Sequence, residues 1–215
     1  MIPDWSAERR EMIDRQLRGR SIRDERVLRA MSGVPREEFV PLESRILAYS
    51  DGPVGIGCGQ TISQPYMTAL MAQELELDGS ETVLEVGAGC GYAAAVLGAL
   101  AARVITVEIV PALVELARSN LRRTGRDGNV LVVLGDGSMG YSPGAPYNAI
   151  SVAAAAPDVP ISLLEQVRDP GRVVIPVGSR EDQALRVIRK RGGRIDYRTG
   201  VQCRFVPLRG GEGWH

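Results

Sequence analysis

The sequence predicts an α/β fold. We expect a doubly wound, mostly parallel sheet with helices on both faces, antiparallel strands at its C-terminal end and a helical extension at its N-terminus. Three observations carry this. Residues 82–86 form a short apolar run of the kind buried on both faces of a sheet. That run passes through Gly87, Gly89 and Gly91 into a helical stretch, residues 93–97, and a second apolar run follows at 104–108. A strand, a glycine turn and a helix make the first unit of a doubly wound sheet. Beyond residue 183 the pattern changes to strand-like segments joined through Gly192-Gly193, hence antiparallel.

The other elements follow from periodicity and punctuation. Residues 6–19 read as a charged helix with Met12, Ile13 and Leu17 on one side and Ser6 as its cap. Asp24 starts a short helix carrying Val27, Leu28 and Met31 inward, and residues 35–41 are a proline-bounded piece. Residues 48–59, with four glycines and one proline, read as a loop, the kind of segment where binding residues gather. Pro65 then opens a helix to about Leu75 with Met67, Leu70 and Met71 on its apolar stripe, which puts Ser63 at or next to the N-cap. Residues 111–123 form a helix, and 129–134 a third strand ending in Gly135-Asp136-Gly137. Strands at 146–152 and 172–177 flank a helix at 161–167, and strands at 183–189, 194–199 and 201–206 complete the chain. There is no internal repeat or linker. The reading is one domain, with residues 1–79 as an N-terminal helical and active-site loop region and 80–215 as the α/β core.

Composition removes whole classes of function. The 215 residues, 44% hydrophobic, suit a single core. Lys+Arg and Asp+Glu stand at 26 each, so no net charge draws the chain to nucleic acid or membrane. No stretch approaches the roughly 18 apolar residues of a membrane span, and residues 1–10 are too polar for a signal peptide. Cys58, Cys90 and Cys203 fit neither a disulfide framework nor a zinc site, so a cytoplasmic location is expected. The single histidine is His215, the last residue, which makes a Ser-His-Asp or Cys-His device and a histidine-bound metal improbable.

The glycine motif defines the candidate site. Dinucleotide sites use G-x-G-x-x-G, but position 92 holds Tyr92, and the spacing is G-x-G-x-G preceded by the acid Glu85. An acid there suits a ligand with positive charge and repels a pyrophosphate. Glu108, at the tip of the next strand, is placed to accept hydrogen bonds from a ribose. Together they point to S-adenosylmethionine, the alternative being a tight turn with no ligand. Asp136 is either an acceptor for an adenine amino group or a turn residue. Ser63 either caps its helix or, with nearby free N–H groups, holds an anion. Arg186, Arg189, Lys190, Arg191 and Arg194 form either a solvated hairpin face or a nucleic-acid patch.

Taken together, Val34-Pro35-Arg36-Glu37-Glu38-Phe39-Val40-Pro41, Gly59-Gln60-Thr61-Ile62-Ser63-Gln64-Pro65-Tyr66-Met67, the glycine motif, Gly135-Asp136-Gly137, Ala154-Ala155-Ala156-Pro157 and Phe205-Val206-Pro207-Leu208 resemble the protein-L-isoaspartate O-methyltransferase family. The resemblance covers most of the chain, and the Gln60 to Tyr66 segment is its most specific part. It implies a Rossmann-like class I methyltransferase fold and methyl transfer from S-adenosyl-L-methionine to the free carboxylate of L-isoaspartyl residues, with D-aspartyl residues as a further candidate. It implies S-adenosyl-L-homocysteine as product and no metal. It assigns Ser63 as the active-site residue and Thr61, Ile62, Ser63, Glu85, Gly87, Gly89, Gly91, Glu108, Asp136 and Gly137 as cofactor-binding. The implied partners are damaged proteins and peptides, whose repair the reaction starts. Neither nucleic acid nor membrane is implied, and the expected state is a monomer. Three positions depart from the family pattern: Asn148 stands for a usual aspartate, Ala153 for a common glycine and Gly55 for a frequent proline. Ala153 would narrow the mouth for the substrate. An RNA or small-molecule methyltransferase and a non-catalytic cofactor-binding module are the other readings of the same motif.

Overall fold

The computed structural model describes residues 3–214, so His215 lies outside the described residues. The N-terminal helix is α1 (Trp5–Glu11), continued by one π-helical stretch, Met12–Leu17, and a 3₁₀ turn, Arg18–Arg20. Its cap is Asp4, whose carboxylate accepts the N–H groups of Ser6 and Ala7, and not Ser6 as the sequence suggested. Asp24 caps α2 (Glu25–Gly33) as expected, and its carboxylate accepts from Arg26 and Val27. Two 3₁₀ stretches follow, Arg36–Glu38 and Leu42–Leu47.

Part of the expected loop at 48–59 is strand. β1 (Val54–Gly57) pairs antiparallel with β2 (Gln60–Ile62) in a small separate sheet. Glycines at 55, 57 and 59 hide the alternation that would have announced a hairpin. Next comes α3 (Pro65–Glu74). The core then runs β3 (Thr82–Val86), α4 (Tyr92–Gly98), β4 (Arg103–Glu108), α5 (Pro111–Arg123), β5 (Val130–Leu134), β6 (Tyr147–Val152), α6 (Ile161–Gln166), β7 (Val167–Gly178), β8 (Gln183–Arg191) and β9 (Arg194–Cys203).

Among the described residues the main sheet has seven strands, ordered β5-β4-β3-β6-β7-β8-β9. It is parallel from β5 to β7 and antiparallel from β7 to β9. Two strands expected at 194–199 and 201–206 are the single β9. Its register against β8 slips between Ala184 and Arg186, a bulge that Gly200 absorbs without turning the chain.

Strand alternation sorts the core. Val83, Val104, Val130 and Ala149 face α2 to α5, while Leu84, Ile105, Ile150 and Val173 face α6. The N-terminal residues Met12, Leu17, Leu28 and Phe39 belong to the first of these clusters and so share one core with the sheet. By the same alternation Glu85 lies on the helix-rich face, flanked in register by Thr106 of β4 and Ser151 of β6. A polar row therefore crosses the middle of the sheet beneath α3 and α4.

Candidate active site

The site is built where β3 and β4 end and the chain turns. Gly87 donates its N–H to the Val107 carbonyl at 2.8 Å, extending the parallel pairing by one residue. Gly91 begins α4 at φ 87°, and a Cβ there would stand 3.2 Å from the Ala117 carbonyl oxygen of α5. The glycine is thus required twice, by its backbone and by close helix packing. Gly91→Ala is expected to cost about 1–2 kcal/mol through the left-handed backbone alone. A lowered urea midpoint is the readout, and an unchanged midpoint would contradict this account.

Glu108 ends β4 and is 6% exposed. Its carboxylate accepts the Gly89 N–H at 2.9 Å through Oε2 and the Val110 N–H at 3.0 Å through Oε1. One acid therefore fastens the glycine loop to the loop after β4, and its remaining lone pairs border an open cavity. Thr61, Ile62, Ser63, Gly87, Gly89, Glu108 and Gly137 line this cavity. Gly91 stands behind the wall, packed on α5.

Ser63 does not cap α3. The N-cap is Gln64, Pro65 fills the first turn, and the Ser63 hydroxyl makes no hydrogen bond to the described protein. Only its backbone is held, the carbonyl accepting from Arg36 Nη2 at 2.7 Å. The hydroxyl is free to meet a ligand.

Glu85 takes a different place. It faces a small inner pocket that shares Ser63, Thr68, Ala93 and Ala153 with the larger one. It is 1% exposed, and neither carboxylate oxygen has a hydrogen-bond partner. Burial pushes the carboxyl up to about 8, with Glu108 adding to the rise. The Thr106 hydroxyl opposes it, but does not reach hydrogen-bond geometry and is itself unpartnered. An orphaned carboxyl beside a ligand cavity is an open acceptor for a cation. Between its ordinary 4.5 and about 8 the folded protein holds this proton while the unfolded chain does not. Glu85 therefore contributes stability that is full below about 4.5 and lost as pH rises toward 8. The stability of Glu85→Gln, measured by urea unfolding of ligand-free protein at pH 5.5 and 7.5, is expected to lack that decline. Parallel pH slopes in the two proteins would show that the carboxyl is not held neutral.

Asp136 is not part of the cavity wall. The expected role toward an adenine amino group finds its carboxylate already engaged: Oδ1 accepts from the Ser138 N–H and hydroxyl at 2.9 and 2.7 Å, and Oδ2 from the Gly211 N–H at 2.8 Å. Desolvation opposes ionisation there, but the Gly211 and Ser138 donors hold the carboxyl below its usual range. The Ser138 hydroxyl in turn accepts the Glu212 N–H at 3.0 Å, and the Glu212 carboxylate accepts from Ser162. Asp136 thus fastens the C-terminal segment, whose Val206, Pro207, Leu208 and Arg209 wall the cavity.

Sequence reasoning missed that wall, along with Ile109 and Val110. The motif Phe205-Val206-Pro207-Leu208 was the available signal for the former, and carried no role. Of the three departures, Asn148 accepts the Thr82 N–H at 3.0 Å and so ties β6 to the start of β3. Ala153 lines both cavities, and its Cβ is where a Cβ on Gly87 would meet it. Gly55 pairs with Thr61 in the hairpin and has open space where a side chain would go. Burial pushes the Cys90 and Cys203 thiols up to about 11, so neither is an activated nucleophile. No cluster of metal-ligating side chains occurs among the described residues.

These residues fit S-adenosyl-L-methionine: glycines that leave bare backbone, an acid with two free lone-pair directions at a strand tip, and an unpartnered carboxyl for a cationic group. The comparisons agree. The family described as protein-L-isoaspartate(D-aspartate) O-methyltransferase matches residues 7–213. The chain is 51% identical over 213 residues to a protein-L-isoaspartate O-methyltransferase of Koribacter versatilis, covering 99% of this chain and 96% of that protein. It is 50% identical over 208 residues to one of Methanoculleus marisnigri, covering 96% and 94%. A solved protein-L-isoaspartate O-methyltransferase superposes with a TM-score of 0.83 at 29% identity, over 95% of this chain and 66% of that one. A Plasmodium falciparum protein assigned to the same family, solved with S-adenosyl-L-homocysteine, gives 0.79 at 26% identity over 94% and 98%. Matched over nearly its full length, this chain belongs to the protein-L-isoaspartate(D-aspartate) O-methyltransferase family.

Proposed function

We propose that this chain transfers a methyl group from S-adenosyl-L-methionine to the free carboxylate of L-isoaspartyl residues in damaged proteins and peptides, the step that starts their repair. The observation that carries the reading is the unpartnered Ser63 hydroxyl, set in the wall of a cavity that also holds Glu108 and the glycine loop.

The chemistry needs little from the protein. A carboxylate with pKa near 4 is ionised at neutral pH, so no general base is required, and burial leaves the Cys90 and Cys203 thiols unactivated. S-adenosyl-L-methionine, when bound, supplies an electrophilic methyl group on a sulfonium and leaves as S-adenosyl-L-homocysteine. Ser63 orients the substrate carboxylate by donating a hydrogen bond. Glu108 accepts from the ribose, and Glu85 meets the cationic end. Ile62, Val206, Pro207 and Leu208 exclude water from the reacting atoms. Catalysis is then mainly by positioning, worth up to roughly 7–11 kcal/mol in favourable cases.

The proposal includes a monomer, and a cytoplasmic location, the latter supported by the free Cys58, Cys90 and Cys203. Among the described residues no helix is long and apolar enough to cross a membrane. Nucleic acid is not included. Several basic residues of β8 and β9 have local partners: Arg189 pairs with Glu76, Arg198 with Glu74 at 2.5 Å, Lys190 donates to the Leu164 and Val167 carbonyls, and Arg186 lies over the Tyr197 ring, while Arg191 and Arg194 at the hairpin turn are exposed.

Methyl transfer from labelled S-adenosyl-L-methionine to two peptides, identical except for isoaspartate or aspartate at one position, tests the reading. Label on the isoaspartyl peptide alone is expected. Label on neither, with cofactor still bound, would overturn the substrate assignment, and a D-aspartyl peptide run beside them tests the second substrate in the family description.

A further inference from the structure

Arg36 is the one arginine that burial leaves without a carboxylate among the fully buried side chains. It is 0% exposed, and no acid among the described residues forms an ion pair with it. Instead Nε donates to the Ala48 carbonyl at 2.6 Å and Nη2 to the Ser63 carbonyl at 2.7 Å, while Nη1 has no partner. The guanidinium carbon stands 4.8 Å from the centroid of the Tyr92 ring, the residue that opens α4 and borders the cofactor cavity. Removing a guanidinium from water without a counter-charge is costly, and two carbonyl dipoles with one aromatic face offset only part of that cost. A purely structural bridge between two carbonyls would not need a charge.

The two carbonyls belong to the two ends of one segment. Residues 48–63 leave the body at Ala48, form the hairpin of β1 and β2, and return to the cavity wall as Thr61, Ile62 and Ser63. A second, exposed clasp closes the same neck. Gln64 Nε2 donates to Asp51 Oδ1 at 2.7 Å, Arg20 pairs with Asp51 at 2.9 Å, and the Arg20 guanidinium carbon lies 3.9 Å from the Tyr66 centroid. The hairpin therefore rides on a closed loop whose inner fastening is Arg36.

We propose that Arg36 is a positioning residue for the reaction, acting through Ser63. By gripping the Ser63 backbone from within and stacking on Tyr92, it fixes the serine hydroxyl and the hairpin relative to the cofactor cavity. The fork geometry matters as well as the charge, because one planar group must reach two carbonyls and a ring at once. This rests on the role of Ser63 proposed above.

The test is a double-mutant cycle. Arg36→Lys keeps the charge and gives up one of the two carbonyls. It is expected to lower kcat on an isoaspartyl peptide at least tenfold, while the Kd for S-adenosyl-L-homocysteine changes less than threefold. In a Ser63→Ala background the same substitution is expected to cost less than twofold more. Full additivity of the two losses, or a kcat retained by Arg36→Lys, would overturn the proposal; a kcat left unchanged by Ser63→Ala would instead overturn the role of Ser63. A measurement on the unaltered enzyme covers the case in which Arg36→Lys fails to fold. With ¹⁵N-labelled arginine, the Arg36 Nε–H is expected to exchange slowly, and more slowly still when S-adenosyl-L-homocysteine and the peptide are bound together. Exchange unaffected by the bound pair would also overturn it.

Discussion

Ser63→Ala is expected to lower turnover of an isoaspartyl peptide by about 10- to 100-fold, the worth of one hydrogen bond to a charged group. Affinity for S-adenosyl-L-homocysteine is expected to change less than about threefold. The separation follows from the structure: the hydroxyl has no protein partner to lose, while the backbone that shapes the cavity wall is held by Arg36 and survives the change. For the same reason the melting temperature should stay within about a degree. Steady-state kinetics beside calorimetric titration of the cofactor product checks both halves. Unchanged turnover would remove Ser63 from the mechanism, and a loss confined to cofactor affinity would recast it as part of the cofactor site.

Glu108→Ala should do the opposite. The carboxylate is the acceptor for the Gly89 and Val110 N–H groups, so the substitution strands two donors at the cavity wall as well as removing the proposed ribose contact. A stranded donor costs about 1–3 kcal/mol, less where water can replace the lost acceptor. The Kd for S-adenosyl-L-homocysteine is expected to rise by about 100-fold, with a lower urea midpoint in the ligand-free protein. Glu108→Gln keeps one acceptor oxygen and should fall between. If titration finds both variants within threefold of the unaltered chain, Glu108 is a structural clasp and the cofactor is held elsewhere.

Glu108 and Asp136 differ in how legible their positions were. That Glu108 would border the cavity could be read because a strand tip in a doubly wound sheet has only one place to be. Asp136 shows the limit of the same logic. It too sits between glycines at a strand end, but the segment around Gly211 returns across 75 positions of sequence to occupy its carboxylate. No local pattern encodes that meeting. Glu85 was legible as an acid inside the end of β3, while its orphaned state depends on Thr106 and Ser151 failing to reach it from neighbouring strands.

By itself the sequence determined the order of strands and helices in the core, the glycine turn and the serine segment, because these rest on local periodicity, backbone permissiveness and short motifs. It misjudged the hairpin before Ser63, the cap of the first helix and the split of β9, where glycines or a near neighbour blur the local signal. Only the tertiary structure decided that Ser63 is free and not a cap, that Arg36 lies buried beneath it, and that the C-terminal segment walls the cavity. The last two are contacts between residues far apart in the chain. Such contacts are set by which faces the packed elements bury together, and one-dimensional spacing does not carry that information.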